Sequence, residues 1–241
     1  ALGRAGRVVD LAQKARQKAI NLLFPFGVAL SEQIEATALQ SLGKRREAQG
    51  LARSAHAQFL VLGHPERRAE TALLLAELAL GSGEAKGASL LAEEALMASK
   101  KLFLPLVHAR TQDLMLQIAA ATGQEERGEI LLNQRREATT LPASKALAEV
   151  HWWRWKSNPA KAKEACRRAG TRDYPAARAQ LELARTYLQE HQVEACGAAL
   201  QRGLAIAEKD GFEELKKYAR LIEGALLPHA DFPNWDQLVD E

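Results

Sequence analysis

The chain is a succession of short amphipathic stretches separated by single small or polar residues. Within each stretch apolar residues recur at intervals of three and four, which predicts amphipathic α-helices. No run of four to eight β-branched or aromatic residues bounded by turn signals occurs, so essentially no strand is expected. The pattern therefore predicts an all-α protein made of consecutive helices.

Small residues recur at matched places in every second helix of this succession. Ala48, Ala52 and Ala55 are spaced four and three apart, which places three methyl groups on one helix face and lets a neighbouring helix come close. The corresponding positions of the later helices hold Ala88, Ala92 and Ala95, then Gly128, Leu132 and Arg135, then Ala162, Cys166 and Ala169, and finally Cys196, Leu200 and Gly203. Arg135 alone departs from this small or apolar pattern.

The residues expected at the turns give the chain a period. Successive turn residues lie 40, 40, 34 and 34 positions apart, and they are Gly43, Gly83, Gly123, Ser157 and His191. Self-similarity at a period of about 20 to 50 residues is typical of solenoids, in which each unit buries its apolar face against the next. The sequence predicts about five stacked helix pairs over residues 29–209.

Residues 1–28 are predicted to form a leading amphipathic helix and a turn. One stripe of this helix holds Val8, Leu11, Ala12, Ala15, Ala19, Leu22 and Leu23, and basic residues occupy the rest. Such a helix can lie on a membrane or a partner, but packing on the first pair is favoured. We expect the turn at Phe24 to Gly27, and we expect Ser31 to cap the next helix.

The C-terminal end is predicted to contain a capping helix over residues 210–228, followed by a short acidic and aromatic tail over residues 229–241. A capping helix is expected because a terminal repeat would otherwise expose its core. The tail can fold back along a groove formed by the stacked helix pairs, lead into a further domain or act as a docking peptide. We favour these alternatives in that order.

Composition and charge narrow the class of partner. Of the 241 residues, 47% are apolar and 26% charged, and the net charge of +3 arises from cations interleaved with acids at helical spacing. This arrangement is typical of solvated helix faces, so nucleic acid is not expected. No apolar run could span a bilayer, so membrane insertion is not expected. The start at Ala1, without Met, favours an excised segment of a larger protein.

Catalytic, metal and cofactor chemistry is not expected. No glycine-rich phosphate loop, nucleophile motif or metal-ligand spacing is present, so we predict no enzyme activity and no cofactor. Cys166 and Cys196 lie in helical patterns without ligand partners, so they are expected to be buried, reduced thiols. Reduced thiols indicate a cytoplasmic location.

Three of the four tryptophans fall within five residues, next to His151. Successive helical residues point about 100° apart, so Trp152, Trp153 and Trp155 cannot all face one core, and at least one should be partly exposed. In one interpretation Trp152 and Trp153 pack between neighbouring pairs. In the other, Trp155 with His151 and Arg154 forms an aromatic anchor on the inner surface.

The pairs resemble tetratricopeptide repeats (TPRs). A large, a small and an aromatic residue occur on a first helix at Leu183, Ala184 and Tyr187, and a related set occurs at Leu75, Ala76 and Ala79. The longer spacing resembles the variants appended to bacterial signalling ATPases, transcription regulators and kinases. This resemblance implies a right-handed α-solenoid in which the first helix of each pair lines a concave groove.

The resemblance also implies which side chains line that groove. The predicted lining begins with Gln33, Thr37, Gln40, Glu70 and Glu77 and continues with Arg110, Asp113, Gln117, His151, Arg154, Trp155, Arg178 and Arg185. The wall thus changes from neutral or acidic to basic along the chain. Arginine binds carboxylates bidentately, so an acidic peptide or a free C-terminal carboxylate is the expected partner. The alternative is that these are ordinary solvated charges.

The function expected from these observations is that of a protein interaction scaffold that binds a partner peptide or segment in the groove. The alternative is a regulatory, effector-sensing or oligomerisation domain of a multidomain signalling protein, such as a kinase, an ATPase or a transcription regulator. The sequence leaves the oligomeric state open.

Overall fold

A computed structural model of the protein describes residues 4–137, 142–170 and 172–226. Regular structure in these ranges is helical, and no strand occurs in them. The helices are α1 (Arg4–Asn21), α2 (Pro25–Ser41), α3 (Arg45–Val61), α4 (Pro65–Gly81), α5 (Ala85–Lys101), α6 (Pro105–Ala121), α7 (Glu125–Glu137), α8 (Pro142–Trp155), α9 (Pro159–Ala169), α10 (Asp173–Gln189), α11 (Val193–Asp210) and α12 (Glu213–Ala225).

The helices form two compact units, of which the first ends at Thr111 and the second begins at Gln112. In the first unit α1 to α5 pack each on the next, and in the second unit α7 packs on α8, α8 on α9, and α9 to α12 each on the next. Where the connecting residues are described, turns of only a few residues join successive helices, so these neighbours run antiparallel. The predicted fold class, an all-α solenoid of helical pairs, is confirmed.

One kind of turn joins most successive helices. At Gly43 the backbone is left-handed, with φ of 75°, and the amide of Lys44 donates a hydrogen bond to the carbonyl of Leu39 at 2.9 Å. This is the Schellman arrangement, in which the first residues after a helix satisfy its last carbonyl groups. All five residues predicted at turns, Gly43, Gly83, Gly123, Ser157 and His191, have positive φ. The predicted turn positions are therefore confirmed.

The start of α2 differs from the prediction. Proline begins the helix at Pro25, as it also does at Pro65 and Pro105, because its missing N–H is not needed at the first helical position. Ser31 consequently lies inside α2, where its hydroxyl donates to the carbonyl of Gly27 at 2.7 Å. The prediction that Ser31 caps a helix was wrong, because Pro25 starts that helix six residues earlier.

The small residues predicted at the helix crossings are buried. Ala48, Ala52 and Ala55 of α3 have no exposed surface, and neither have their counterparts Ala88, Ala92 and Ala95 of α5. Ala48 and Ala52 pack in one cluster with leucines of α2 and α4, including Leu39, Leu74, Leu75 and Leu78. In the second unit Gly203 approaches α10 so closely that a Cβ on it would lie 2.7 Å from Leu181. We call this repeated set of small residues the alanine seam.

Arg135 takes the place of a small residue and is nevertheless buried, with 1% of its side chain exposed. Its guanidinium binds both carboxylate oxygens of Asp113, which lies on α6, and the hydroxyl of Ser144 on α8 donates to the same carboxylate. The buried charge is thus compensated by a bidentate ion pair, as burial of an ion requires. The departure from the small-residue pattern is accommodated by an acid on the facing helix.

The packing of α1 also differs from the prediction. Its alanines Ala12 and Ala19 are buried, whereas Leu11, Leu22 and Leu23 are 65%, 67% and 89% exposed. Polar contacts also hold α1 to α2. The amide of Gln13 donates a hydrogen bond to Glu35 at 2.7 Å, and Arg16 forms an ion pair with Glu35 at 3.5 Å. The prediction that the seven-residue stripe packs on the first pair was wrong for most of its members. Ala12 and Ala19 are buried, but Val8, Leu11 and Ala15 are exposed, and α1 ends at Asn21, before Leu22 and Leu23.

The capping helix and the thiols agree with expectation. The four residues predicted to face inward from α12 are buried, namely Leu215, Tyr218, Ala219 and Ile222. Cys166 and Cys196 are free and buried, and burial raises their thiol pKa values to about 12 and about 11. No helix in the described ranges combines the length and apolar character needed to cross a membrane. The tail predicted over residues 229–241 lies outside the described residues.

Substitution of two glycines tests the close approach in the second unit. A Cβ at Gly128 of α7 would overlap the indole ring of Trp152, so Gly128→Ala should lower the free energy of unfolding by about 1–3 kcal/mol. At Gly197 of α11 no atom lies within 4 Å of an added Cβ, so Gly197→Ala should raise it by about 0.5–1 kcal/mol. Urea unfolding followed by circular dichroism measures both. Equal effects of the two substitutions would contradict the assigned packing.

Candidate functional site

Polar residues predicted to line the groove contact one another across successive first helices of the first unit. Gln33 of α2 donates to Glu70 of α4 at 3.1 Å, and Gln40 donates to Glu77 at 3.3 Å. Arg110 pairs with the same Glu77 at 2.8 Å, and half of its side chain is exposed. The first helices therefore share one polar face in this unit, as the resemblance implies.

The corresponding helices of the second unit are α8, α10 and α12, and α10 packs against both of the others. Four predicted lining residues meet on this shared face, and they surround a carboxylate that the sequence analysis did not select. We call this group the arginine cluster. It consists of Arg154 and His151 of α8 and of Arg178, Arg185 and Glu182 of α10.

Glu182 is the centre of the arginine cluster. Its carboxylate oxygens lie 3.1 Å from Nε of Arg154 and 2.9 Å from Nη2 of Arg178. Nδ1 of His151 lies 3.7 Å from the same group. Only 1% of the Glu182 side chain is exposed, whereas Arg154 and Arg178 are 21% and 20% exposed. Glu182 thus forms the floor of the cluster, and the two arginines also reach solvent.

The surroundings fix the protonation of the two titratable groups. Burial disfavours ionisation of Glu182, but the attraction of His151 when protonated and of Arg178, Arg154 and Arg185 outweighs it and holds the pKa of this carboxyl well below its usual range. The pKa of His151 is lowered to about 3, mainly by burial. Repulsion from Arg154, Arg178 and Arg185 lowers it in the same direction, and the opposing attraction to Glu182 does not compensate. At neutral pH Glu182 is ionised and His151 is neutral.

Two tyrosines and one further acid complete the site from α10 and α12. Arg185 donates to the hydroxyl of Tyr218 at 3.4 Å, and the guanidinium of Arg178 lies 4.1 Å from the centre of the Tyr218 ring. The hydroxyl of Tyr174 donates to Glu214 at 3.0 Å. These contacts hold the arginine side chains in place by stacking and hydrogen bonding.

Charge in the cluster is unbalanced. Three guanidinium groups, from Arg154, Arg178 and Arg185, surround the carboxylate of Glu182, and the nearby carboxylate of Glu214 also attracts Arg178. Since His151 is neutral at pH 7, the group carries one net positive charge. A partly buried surface with fixed guanidinium groups and a positive excess favours an anion, and above all a carboxylate or phosphate that can accept a forked pair of hydrogen bonds.

The other predicted lining residues lie elsewhere. Asp113 is in the interior, paired with Arg135 and Ser144, so it offers little surface to a partner. Gln117 is half-buried on α6. Trp155 is half-buried and packs on Trp152, with ring centroids 4.9 Å apart. Of the residues predicted for the second unit, the structure brings together only His151, Arg154, Arg178 and Arg185.

The tryptophans divide between the interior and the surface. Trp152 is fully buried and Trp153 nearly so, whereas Trp155 retains exposed surface, so the expectation that one of the three is partly exposed is confirmed. The side chain of Lys156 lies 5.8 Å from the Trp152 ring and 5.7 Å from the Trp155 ring. Trp155 therefore belongs to a tryptophan pair with a lysine beside it, and its described contacts are not with the arginine cluster.

Sequence reasoning missed Glu182, although a signal for it exists. Glu182 follows Arg178 by four residues and precedes Arg185 by three, so all three residues share one face of α10. A carboxylate between two arginines on a helix face that packs against other helices indicates a buried ion pair. Nothing in the spacing indicates that α8 would add His151 and Arg154 to the same carboxylate.

No family model matches the chain, and no curated protein matches it. The resemblance to tetratricopeptide repeats accordingly rests on the residues and helical pairs described above.

The pKa of His151 makes stability depend on pH. In the unfolded chain His151 takes up a proton near its ordinary pKa of 6.5, but in the folded protein it stays neutral down to about 3. Unfolding therefore binds a proton between these values, and lowering the pH through this range destabilises the fold.

We expect the free energy of unfolding of the wild type to fall by about 1–2 kcal/mol more between pH 7 and pH 5 than that of His151→Gln. At pH 5 Glu182 is ionised in the folded protein, and the other titrating groups are common to both proteins, so the difference isolates His151. Urea unfolding at the two pH values measures it. Parallel losses in the two proteins would show that His151 is not held neutral.

Proposed function

We propose that the protein is an interaction scaffold of helical repeats that captures a partner segment through a carboxylate at the arginine cluster. The carboxylate belongs to an acidic side chain or to the free C-terminus of the partner. The observation that carries this proposal is the convergence of Arg154 and Arg178, from two helices, on one buried carboxylate, with Arg185 held nearby by Tyr218.

The position of Glu182 supports a carboxylate as the bound group. Glu182 occupies the inner side of the guanidinium groups, and the outer sides of Arg154 and Arg178 remain partly exposed. Arginine presents five N–H donors, so one internal carboxylate does not use all of its hydrogen-bonding capacity. A partner carboxylate would bind to the outer side, in the partly desolvated setting in which charged hydrogen bonds are strongest.

The protonation states favour binding over catalysis. A general acid or base works best with a pKa near the operating pH. In this cluster the pKa of Glu182 is held far below neutrality and that of His151 is lowered to about 3, so neither group exchanges a proton near pH 7. Fixed charges that do not titrate suit recognition of an ionic partner.

A random peptide library tests the proposal, because it samples many acidic sequences and many C-termini at once. The full chain would be screened against random 12-residue peptides with free C-terminal carboxylates. The best binders would then be resynthesised in two forms, one with a C-terminal amide and one with Asp and Glu replaced by Asn and Gln. Loss of binding in the amide form identifies the C-terminal carboxylate as the bound group. Loss in the Asn and Gln form identifies an acidic side chain.

Three substitutions link such binding to the arginine cluster. Arg154→Gln should weaken the selected peptides at least tenfold, since one charged hydrogen bond contributes about 1.5–3 kcal/mol. Glu182→Gln should tighten them, because it removes the internal competitor for the arginines. Arg220→Gln is the matched control, since Arg220 is an exposed arginine of α12. Isothermal titration calorimetry would measure the affinities and thermal unfolding the integrity of each variant.

Several outcomes would contradict the proposal. Equal affinity of the Arg154→Gln and Arg220→Gln variants would place binding away from the cluster. Weaker binding by Glu182→Gln in a folded protein would show that Glu182 supports the partner and does not compete with it. Affinity that is unchanged at higher ionic strength would exclude an ionic contact at a partly exposed site.

Self-association is a second candidate function, favoured by the exposed leucines on and just after α1. Leu11 of α1 and Leu22, which follows the helix, are both about two-thirds exposed. Leu23, which follows the helix, is more exposed still. Exposed large apolar side chains can contribute to an interface, and the proposed occupant is the same segment of a second copy.

Light scattering coupled to size-exclusion chromatography tests self-association. The wild type should elute with about twice the monomer mass of 26.4 kDa, and Leu11→Ser should elute as the monomer. The control is Leu90→Ser, because Leu90 is as exposed as Leu11 but lies on α5, and this variant should remain dimeric. A wild type that stays monomeric at high concentration would refute this candidate.

A further inference from the structure

The second unit contains a cavity of about 670 Å³ that is separate from the arginine cluster. It lies between α7, α8 and α9, and none of the residues of the arginine cluster lines it. Its cationic lining residues are Arg136, Lys156, Lys161 and Arg168, and Trp153 forms part of its wall. We call it the Trp153 cavity.

Two of the cations are held by a buried acid beneath the cavity. Glu149 of α8 has 1% of its side chain exposed, and its carboxylate lies 3.2 Å from Arg136 of α7 and 3.0 Å from Arg168 of α9. The two arginines are themselves 41% and 48% exposed. Glu149 thus fixes both guanidinium groups from below, and their remaining donors are open to solvent or to a ligand.

Lys161 is held differently. Its ammonium lies 4.2 Å from the centre of the Trp153 ring, and among the described residues no carboxylate lies within ion-pairing distance of it. A cation–π contact attracts the ammonium without neutralising its charge. Lys156, in contrast, pairs with Glu125 and Glu129. Lys161 is therefore the cation of this cavity with the most charge available for a ligand.

The charge near Trp153 determines the class of ligand. The cavity lining supplies four positive charges, from Arg136, Lys156, Lys161 and Arg168. The lining acids Glu129 and Glu164, together with Glu149 beneath them, supply three negative charges, so the net charge is +1. Because Lys161 covers the face of the Trp153 ring, an aromatic ligand cannot stack there without displacing it. A compact anion matches this positive charge and this shape better than a planar ring.

We propose that the Trp153 cavity binds a phosphate group, held by Lys161 and by the outer donors of Arg136 and Arg168. Arginine forks match the tetrahedral arrangement of phosphate oxygens, and lysine adds a point charge. The group can be a free phosphate or pyrophosphate ion or the phosphoryl group of a small ester. This inference does not depend on the function proposed for the arginine cluster.

Calorimetric titration of the full chain with inorganic phosphate, pyrophosphate and ribose 5-phosphate tests the proposal. Saturable binding of the two inorganic anions alone identifies a free ion, and comparable binding of ribose 5-phosphate shows that phosphoryl esters are admitted. Absence of heat for all three probes up to about 10 mM overturns the proposal, because binding weaker than that is not specific recognition.

Substitutions on α9 assign the binding to this cavity. Lys161→Met keeps the apolar stem and should weaken pyrophosphate binding roughly tenfold or more. Lys163→Met is the matched control, since Lys163 is an exposed lysine of the same helix that does not line the cavity. Glu164→Gln should tighten binding, because Glu164 is a lining carboxylate that repels the anion.

Two results would separate this inference from the function proposed above. Arg154→Gln should leave pyrophosphate binding unchanged, because Arg154 belongs to the arginine cluster. If Arg154→Gln abolishes pyrophosphate binding and Lys161→Met does not, the anion binds at the arginine cluster and the Trp153 cavity is not its site. Equal binding by Lys161→Met, Lys163→Met and the wild type would likewise overturn the inference.

Discussion

The close approach of neighbouring helices at small side chains is the constraint on which the rest of the structure depends. The axes of packed helices lie about 8–10 Å apart, and the separation is smallest where the crossing residues are short. Alanine supplies such crossings on α3 and α5, and Gly128 and Gly203 supply them in the second unit. Because the helices are close, polar residues of successive first helices come within hydrogen-bond distance, as Gln33 and Glu70 do. The polar faces in each unit are thus a consequence of the apolar packing beneath them.

Among the described residues, buried acids paired with arginine are more numerous in the second unit than in the first, where Arg16 pairs with the buried Glu35. Asp113, Glu149 and Glu182 are each almost fully buried, and each is compensated by arginine from a neighbouring helix. A buried carboxylate without its cation is strongly destabilising, so each pair also fixes how its helices align. Around Glu149 and Glu182 the arginines outnumber the acid and remain partly exposed. The same charges that hold the helices together therefore provide the two cationic surfaces, the arginine cluster and the Trp153 cavity.

The sequence predicted those parts of the fold that local chemistry determines. Left-handed turns favour glycine, and small residues at helical spacing are buried, so Gly43 and Ala52 could be recognised in advance. Ser31 was misassigned because the sequence alone does not distinguish a serine that caps a helix from one inside a helix whose hydroxyl donates to the backbone. Glu149 was missed because its partners come from other helices, and a linear pattern does not give the distance between helices. For Glu182 the spacing of Arg178 on α10 was a signal, but the contribution of Arg154 from α8 could not be read from it. Arginines could be selected as lining residues, but the acids that position them could not.

The repeated alanine seam would allow the first unit to gain or lose whole helix pairs. The seam of α3 recurs on α5 forty residues later, and the prolines that begin α2 and α4 are forty residues apart as well. A duplicated or deleted block of forty residues would therefore present each neighbour with the methyl-lined surface that it already contacts. Growth or loss of a whole hairpin in the first unit requires no new interface, whereas in the second unit it would separate an arginine from its acid.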